Sequence, residues 1–570
     1  MTTATAPDEF LGHPKGLYVC FFTEMWERFS FYGMKALLAL YLIKHHFFTD
    51  EASLGVIGAY GGLVYAMPVL GGILADRYLG MRKAVVLGGV LLVLGHAGMS
   101  IEGHPATLVN GVVQRDGVAL GVFYLSLSLI ICGVGFLKPN ISTIVGQLYP
   151  PGDARRDSGF TLFYAGINVG ALFASLVCGY LGETYGWGYG FGAAGIGMLA
   201  GLMVFLSGQR YLMGLAEPRD PARLKHKLVG PLNVEWAIYL GTALVLPLIW
   251  TLMQLGRTVL VVQLGIMAGW LLWLGWYVCA RCRPDERRRM LACVFFVFVC
   301  LLFFSLYEQT YGAWVLFTDR MLGKDLFPSM VIREGTPVPW SIVPLVASPF
   351  VIALALRLTN VALARTLVLV LGIGGLLVIA RDCVVLPQTA GSLTYLGALC
   401  IVLLSPLFIW LWPALDRRGL NPSKPLKSAL GLAMAGLAFI PLAIANTEVS
   451  ATQLGSVWWL VLAYLILEIG EMSLSPIGLS AVTELSLPSV VGLMMGAWWL
   501  GTSLSEQFAA IFGALAALDI EPGAQIDVAV ASVKYGNLFQ HMVVLGLGSA
   551  LVALLLVPLL NRWMRPATPG

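Results

Sequence analysis

The sequence predicts an all-α polytopic membrane protein, and three observations carry that reading. The 570-residue chain is 58% hydrophobic and only 12% charged, with a mean hydropathy of +0.82. Soluble domains are about 45–50% apolar and about 25% charged. Apolar runs of roughly 20 residues, the length a spanning helix needs, recur from one end of the chain to the other. Lys and Arg gather in alternate connections between them. Inside lipid every backbone polar group must be satisfied by the segment itself or by a closed barrel. The alternating ten-residue segments of an outer-membrane barrel are missing, so helices are expected.

In chain order the runs fall at about 16–43, 54–75, 84–101, 117–147, 158–182 and 188–209. A further pair stands at about 233–255 and 258–280. Eight more follow at about 290–316, 341–357, 361–381, 391–414, 426–446, 456–480, 490–516 and 538–562. The run at 341–357 is short and carries Pro344 and Pro349.

Short loops rich in Lys and Arg stay cytoplasmic. Arg77, Arg82 and Lys83 follow the second run, and Arg155 and Arg156 the fourth. Arg210, Arg219, Arg223, Lys225 and Lys227 follow the sixth, and Arg281 to Arg289 precede the ninth. Arg417, Arg418, Lys424 and Lys427 follow the twelfth, and Arg562 and Arg565 the last. If each run crosses once, all of these lie on one side. A multi-pass protein of the cytoplasmic (inner) membrane with both termini cytoplasmic is expected. Met1 to about Lys15 lacks the basic start and small-residue cleavage site of a signal peptide.

The domain reading is an N-terminal six-helix bundle over 1–209, a linker with an extra helix pair over 210–289, and a C-terminal bundle over 290–570. The last includes an inserted hydrophobic pair at about 341–381. The polar stretches have the length of loops, so no soluble domain is expected. A net charge of +4 does not point to nucleic acid. Most of the nine cysteines lie in apolar runs, where Cys acts as a small hydrophobe. The lone CxxC at Cys279 and Cys282 has no second metal-ligand pair, so no metal site and no cofactor are expected. His45 and His46 read as a solvated loop pair. No Ser/His/Asp or metal array suggests an enzyme.

Ionisable residues inside spans are costly and by default mark a substrate or proton path. In the first run Glu24, Glu27, Arg28, Tyr32 and Lys35 fall at i, i+3, i+4, i+8 and i+11, on one helix face. Lys138 lies deep in the fourth run, where it either has a carboxylate partner or is neutral. Glu308 lies in the ninth run and Glu471 in the fourteenth. Buried carboxylates that switch between ion pair and protonated form suit proton transfer. Between the second and third runs stands GGILADRYLGMRK, with Gly72, Asp76, Arg77 and Gly80. Its glycines permit close helix approach. The segment resembles the loop signature of major facilitator transporters, which implies a conformational role.

These segments resemble the proton-dependent oligopeptide transporter family, bacterial type, within the major facilitator superfamily. The resemblance rests on ExxERFSFYG at Glu24–Gly33, GGxLADRxxG at Gly71–Gly80 and GFLKPNISTIVG at Gly135–Gly146. It is extended by Phe163–Gly170, the pair Glu308 and Gln309, GExxxSP at Gly470–Pro476, and Met494–Trp498. It implies two six-helix bundles plus additional helices, with the pair at 233–280 matching the extra pair of bacterial members. It also implies import of di- and tripeptides with protons as the coupling ion, by a monomer in the lipid bilayer.

By this resemblance Glu24, Glu27, Arg28, Lys138 and Glu308 serve proton coupling. Lys35 and Lys138 face the peptide carboxylate, and Glu471 meets its amino group. Tyr32, Tyr65, Asn168, Glu308 and Trp498 complete the substrate site. Three departures stand out. Phe31 replaces a common tyrosine. Lys35 replaces arginine and gives up the two-point grip a guanidinium offers a carboxylate. Gly397 and Ala398 stand where the family has Asn-Pro. The alternatives are transport of another small solute on the same fold and a non-transporting peptide sensor. A lipid-acting enzyme would need a nucleophile or metal array.

Overall fold

The structure is a computed structural model, and it describes residues 9–150, 153, 155–218, 220–335, 337–521 and 524–564. Arg219 and Arg565, named above as topological charges, and the first eight residues lie outside the described set. Each apolar run becomes helix. They are α1 (Lys15–Lys44), α2 (Asp50–Leu74), α3 (Met81–Met99), α4 (Gly117–Gln147), α5 (Arg155–Ala174) and α6 (Trp187–Gly208). The extra pair forms α7 (Val234–Gln254) and α8 (Gly256–Arg281). Then come α9 (Pro284–Tyr307), α10 (Ile342–Arg357), α11 (Val361–Val385), α12 (Tyr395–Arg417) and α13 (Lys424–Leu437). The chain ends with α14 (Val457–Leu485), α15 (Val491–Gly513) and α16 (Val528–Trp563).

Among the described residues, 13 helices are long and apolar enough to cross a membrane. Helix α1 misses that standard because Glu24, Glu27, Arg28 and Lys35 all lie within it. Helix α10 misses it on length: 16 residues extend about 24 Å, short of a bilayer core of about 30 Å. Helix α15 misses it on composition, since Thr502, Ser503, Ser505, Glu506 and Gln507 interrupt its apolar run. Several rods are longer than one regular helix. Helix α2 runs on through a π-helical turn, Ala75–Leu79. Helix α9 passes through a 3₁₀ turn, Glu308–Tyr311, into Ala313–Met321. Helix α13 is followed by Phe439–Glu448.

The chain divides into two compact units, and neither is continuous in sequence. The first comprises Met1–Tyr41, Met67–Thr251 and Lys324–Ala398; the second comprises Leu42–Ala66, Leu252–Gly323 and Leu399–Gly570. The expected division at 209 and 289 is therefore not how contacts cluster. The inserted pair α10–α11, grouped by chain order with the C-terminal bundle, belongs to the first unit. Hydrogen bonds hold this insertion and the start of α12 there. Tyr180 Oη donates to the Pro337 carbonyl at 3.1 Å, Gly391 N to Glu183 Oε1 at 2.7 Å, and Thr394 Oγ1 to Ser175 Oγ at 2.7 Å. The turn before Gly397 and Ala398 is thus anchored at the position where the family motif departs.

Close backbone approach organises the first unit. A Cβ on Gly71 would lie 2.1 Å from the Gly135 carbonyl oxygen, so α2 and α4 meet through bare backbone there. In the second unit a buried ion pair does similar work. Arg320 grips Asp50 with both terminal nitrogens at 2.6 Å, Leu518 N donates to Asp50 Oδ2 at 2.9 Å, and Tyr535 Oη accepts from Arg320 at 3.2 Å. His45 and His46, expected in solvent, are buried beyond the end of α1. Their rings pack edge to face at 4.9 Å, because the chain turns back there toward α2 and keeps the pair inside.

Candidate functional site

The first unit holds the charged face of α1. Glu24, Glu27, Arg28 and Lys35 are all buried, as the helical spacing predicts for a face turned into a bundle. Arg28 Nη2 donates to Glu27 Oε1 at 2.5 Å, and its Nε donates to Glu27 Oε2. The same Nε stands 3.5 Å from Glu24 Oε1, and Glu24 Oε2 has no hydrogen-bond partner. Lys138 of α4 lies within electrostatic reach of Glu24, Glu27, Arg28 and Lys35. Folding therefore assembles three cations and two carboxylates in one buried group, and such a group favours an added anion.

Phe31, the residue that departs from tyrosine, supports the cations. The Arg28 guanidinium lies 4.8 Å from its ring centroid and Lys35 Nζ lies 5.9 Å away. The ring's negative face stabilises both. Tyr32 stands 5.8 Å from the Arg28 guanidinium. Asn168 of α5 is buried, and its amide donates to the Tyr164 carbonyl of its own helix at 3.3 Å.

The second unit holds a different set. Glu308 begins the 3₁₀ turn after α9 and is buried; beside it Gln309 donates to the Ala509 carbonyl of α15 at 2.8 Å. Glu471 of α14 stands one helical turn after Glu468 and within electrostatic reach of Glu308. Tyr307 Oη donates to Glu468 Oε1 at 3.3 Å. Three carboxyl groups thus gather at the α9–α14 contact, an environment that favours a cation. Tyr65 lies half-buried on the part of α2 that belongs to this unit. Trp498 lies on α15. Its ring lies flush on the backbone of Gly478, where an added Cβ would be 2.4 Å from Cη2, and it joins an apolar cluster with Met494 and Ala497.

The loop residues stay with the first unit. Asp76 and Arg77 are exposed in the π-helical turn. Gly80 has φ +74°, and a Cβ there would lie 2.5 Å from Pro218 N. The linker after α6 clasps this loop. Arg82 Nε donates to Glu217 at 2.5 Å, Lys83 to Glu235 at 2.6 Å, and Arg223 lies 4.9 Å from the Tyr78 ring centroid.

The sequence reading passed over several residues. Glu468 was legible as a second acid in an apolar run, at i−3 from Glu471. Glu506 was also legible. It is buried on α15, and a Cβ on Gly61 would lie 2.4 Å from its carboxyl carbon. Glu217 and Glu235 carried no signal, because their value depends on where the linker folds.

The model of the POT family, PTR2, matches residues 82–328 and 387–521. The chain belongs to the POT family. The unmatched interval, 329–386, contains the inserted helices α10 and α11. An uncharacterized transporter of Bacillus subtilis, YclF, is 30% identical over 569 residues, covering 98% of this chain and 96% of that protein. The peptide transporter YePEPT of Yersinia enterocolitica is 30% identical over 528 residues, covering 88% of each. A solved structure, that of peptide transporter POT in complex with sulfate, superposes with a TM-score of 0.72 at 29% identity, covering 98% of each chain. This POT-family chain is a multi-pass membrane protein of the same fold, and its relatives are transporters.

Proposed function

We propose that this chain is a proton-coupled symporter that imports di- and tripeptides by alternating access. It works in the cytoplasmic membrane with both termini inside, as a monomer, with protons as the coupling ion and no other cofactor. The observation that carries the reading is the division of charge. One unit gathers Arg28, Lys35 and Lys138 around two carboxylates, and the other gathers Glu308, Glu468 and Glu471. A peptide is a zwitterion: a cation-rich group suits its carboxylate, and a carboxyl-rich group suits its ammonium. The peptide-transporter relatives add support, as does a solved variant of the POT transporter in complex with alafosfalin. In this reading Glu24, Glu27, Arg28, Lys138 and Glu308 couple protonation to transport. Lys35 and Lys138 receive the carboxylate, Glu471 receives the amine, and Tyr32, Tyr65, Asn168 and Trp498 shape the site.

The test is uptake of labelled dialanine into proteoliposomes with and without an inward proton gradient. Gradient-dependent accumulation that a protonophore abolishes is expected. Glu308→Gln is expected to lose accumulation while retaining peptide exchange; unchanged accumulation would remove Glu308 from the coupling role. Folded, inserted protein that takes up no dialanine would move the reading to another small solute. Binding without flux would move it to a sensor.

A further inference from the structure

Glu468 and Glu471 form a carboxyl pair that the proposed transport chemistry leaves partly unused. Glu468 is wholly buried at 0% exposure, while Glu471 is half-buried. The two residues stand one helical turn apart on α14, and Tyr307 Oη donates to Glu468 Oε1 at 3.3 Å. The Oε2 atoms of both residues are buried and, as acceptors only, have no donor. Two ionised carboxylates cannot satisfy each other's buried oxygens, since each offers only lone pairs. A single proton held between them supplies the donor and removes one of two like charges.

Among the described residues, the neighbouring helices do not replace that proton with a cation. From α9 and the turn after it, Tyr307 and Glu308 act on the pair; Cys400 of α12 and Tyr464 of α14 also face it. Helices α13 and α15 and the segment Phe439–Glu448 also pack on α14. On α13, Lys424 is bonded to Glu484, and Lys427 lies 3.9 Å from the Trp412 ring centroid. On the segment, Glu448 accepts from Trp459 Nε1 at 2.7 Å. On α15, Glu506 lies against Gly61.

We propose that Glu468 and Glu471 share one proton in the peptide-free transporter, and that the substrate's ammonium group displaces it. This rests on the peptide reading above and adds Glu468 to the amine site. The step balances. Before binding the pair carries one proton and one negative charge. The incoming ammonium brings one positive charge, the O–H bond breaks, the proton leaves to water, and two carboxylates remain around the ammonium. Net charge at the site is unchanged, so the buried site receives a cation without gaining charge. Peptide binding therefore releases a proton from this pair, separately from proton uptake at the coupling residues.

Two measurements on the full-length protein test this. The infrared spectrum of the peptide-free wild type should contain a protonated-carboxyl C=O band, shifted in D2O, that both Glu468→Gln and Glu471→Gln remove. Addition of dialanine to the wild type should bleach the same band. Calorimetric titration with dialanine, in two buffers of different ionisation heat, should show about one more proton released per peptide by the wild type than by Glu468→Gln. A band that survives in both variants, or equal proton release by wild type and Glu468→Gln, overturns the proposal. If dialanine does not bind the wild type, the peptide reading falls and displacement falls with it. The infrared difference between wild type and variants still decides the shared proton on its own.

Discussion

Arg28 holds the carboxylate of Glu27 at two points, with Nη2 at 2.5 Å from Oε1, yet it reaches Glu24 only at 3.5 Å. Two acids one turn apart on the same helix are therefore not equivalent. Glu27 is committed to a buried bidentate pair, the strongest kind of carboxylate contact. Glu24 keeps one oxygen without a partner and is the acid that can change its protonation at smaller structural cost.

Glu27→Gln should destabilise strongly, because it leaves the Arg28 guanidinium buried beside one distant carboxylate. Breaking such a pair costs about 3–5 kcal/mol, which a melting curve in detergent will report. Glu24→Gln should fold normally and retain peptide exchange while losing gradient-driven accumulation. Full accumulation by Glu24→Gln would assign coupling elsewhere.

Asp50→Asn should also destabilise by about 3–5 kcal/mol, since Arg320 loses its ionised partner in a buried setting. A double-mutant cycle with Arg320→Gln separates the pair from its parts. The double variant should lose clearly less than the sum of the singles. Additive losses would mean that the contact between Asp50 and Arg320 contributes little by itself.

Gly71 and Gly72 are adjacent in one motif but should respond differently to alanine. A Cβ at Gly71 meets the Gly135 carbonyl at 2.1 Å, whereas at Gly72 the nearest atom is Pro139 Cβ at 3.6 Å, an ordinary contact. Gly71→Ala should cost about 1–3 kcal/mol through overpacking, and Gly72→Ala should be close to neutral. Equal melting temperatures for the two variants would contradict this packing of α2 on α4.

Asp116 caps α4, its Oδ1 accepting from Val118 N and Ala119 N at 3.0 Å. The Ala119 amide, followed by that of His104, holds its carboxyl below the usual carboxylate range. A pKa lower in the folded state contributes stability above the unfolded value, and that stability is lost as pH falls through the folded one. The melting temperature of Asp116→Ala should therefore lie below wild type at neutral pH, and the gap should close on acidification. A gap that persists in acid would mean that the cap does not act through its charge.

Much of the architecture was legible without coordinates. The apolar runs located every major helix, since a chain in lipid must satisfy its backbone locally and needs a fixed length of apolar residues to do so. Helical spacing also placed Glu24, Glu27, Arg28 and Lys35 on one buried face. Legibility ended where partners lie far apart in sequence. Asp50 and Arg320 are separated by 270 positions, and Glu217 and Glu235 meet Arg82 and Lys83 only because the linker folds back. His45 and His46 read as solvated because their chemistry is polar, but the turn after α1 buries them.

The sequence by itself determined where helices form, which of them carry charge, and to which family the chain is similar. The cause is that helix formation and burial in lipid depend on short stretches of chain. The tertiary structure alone decided that Glu27 rather than Glu24 takes the guanidinium. It also decided that α10 and α11 cluster with the first unit and that Glu468 accepts from Tyr307. These outcomes depend on which side chains packing brings within about 3–4 Å, the distance at which hydrogen bonds and ion pairs operate.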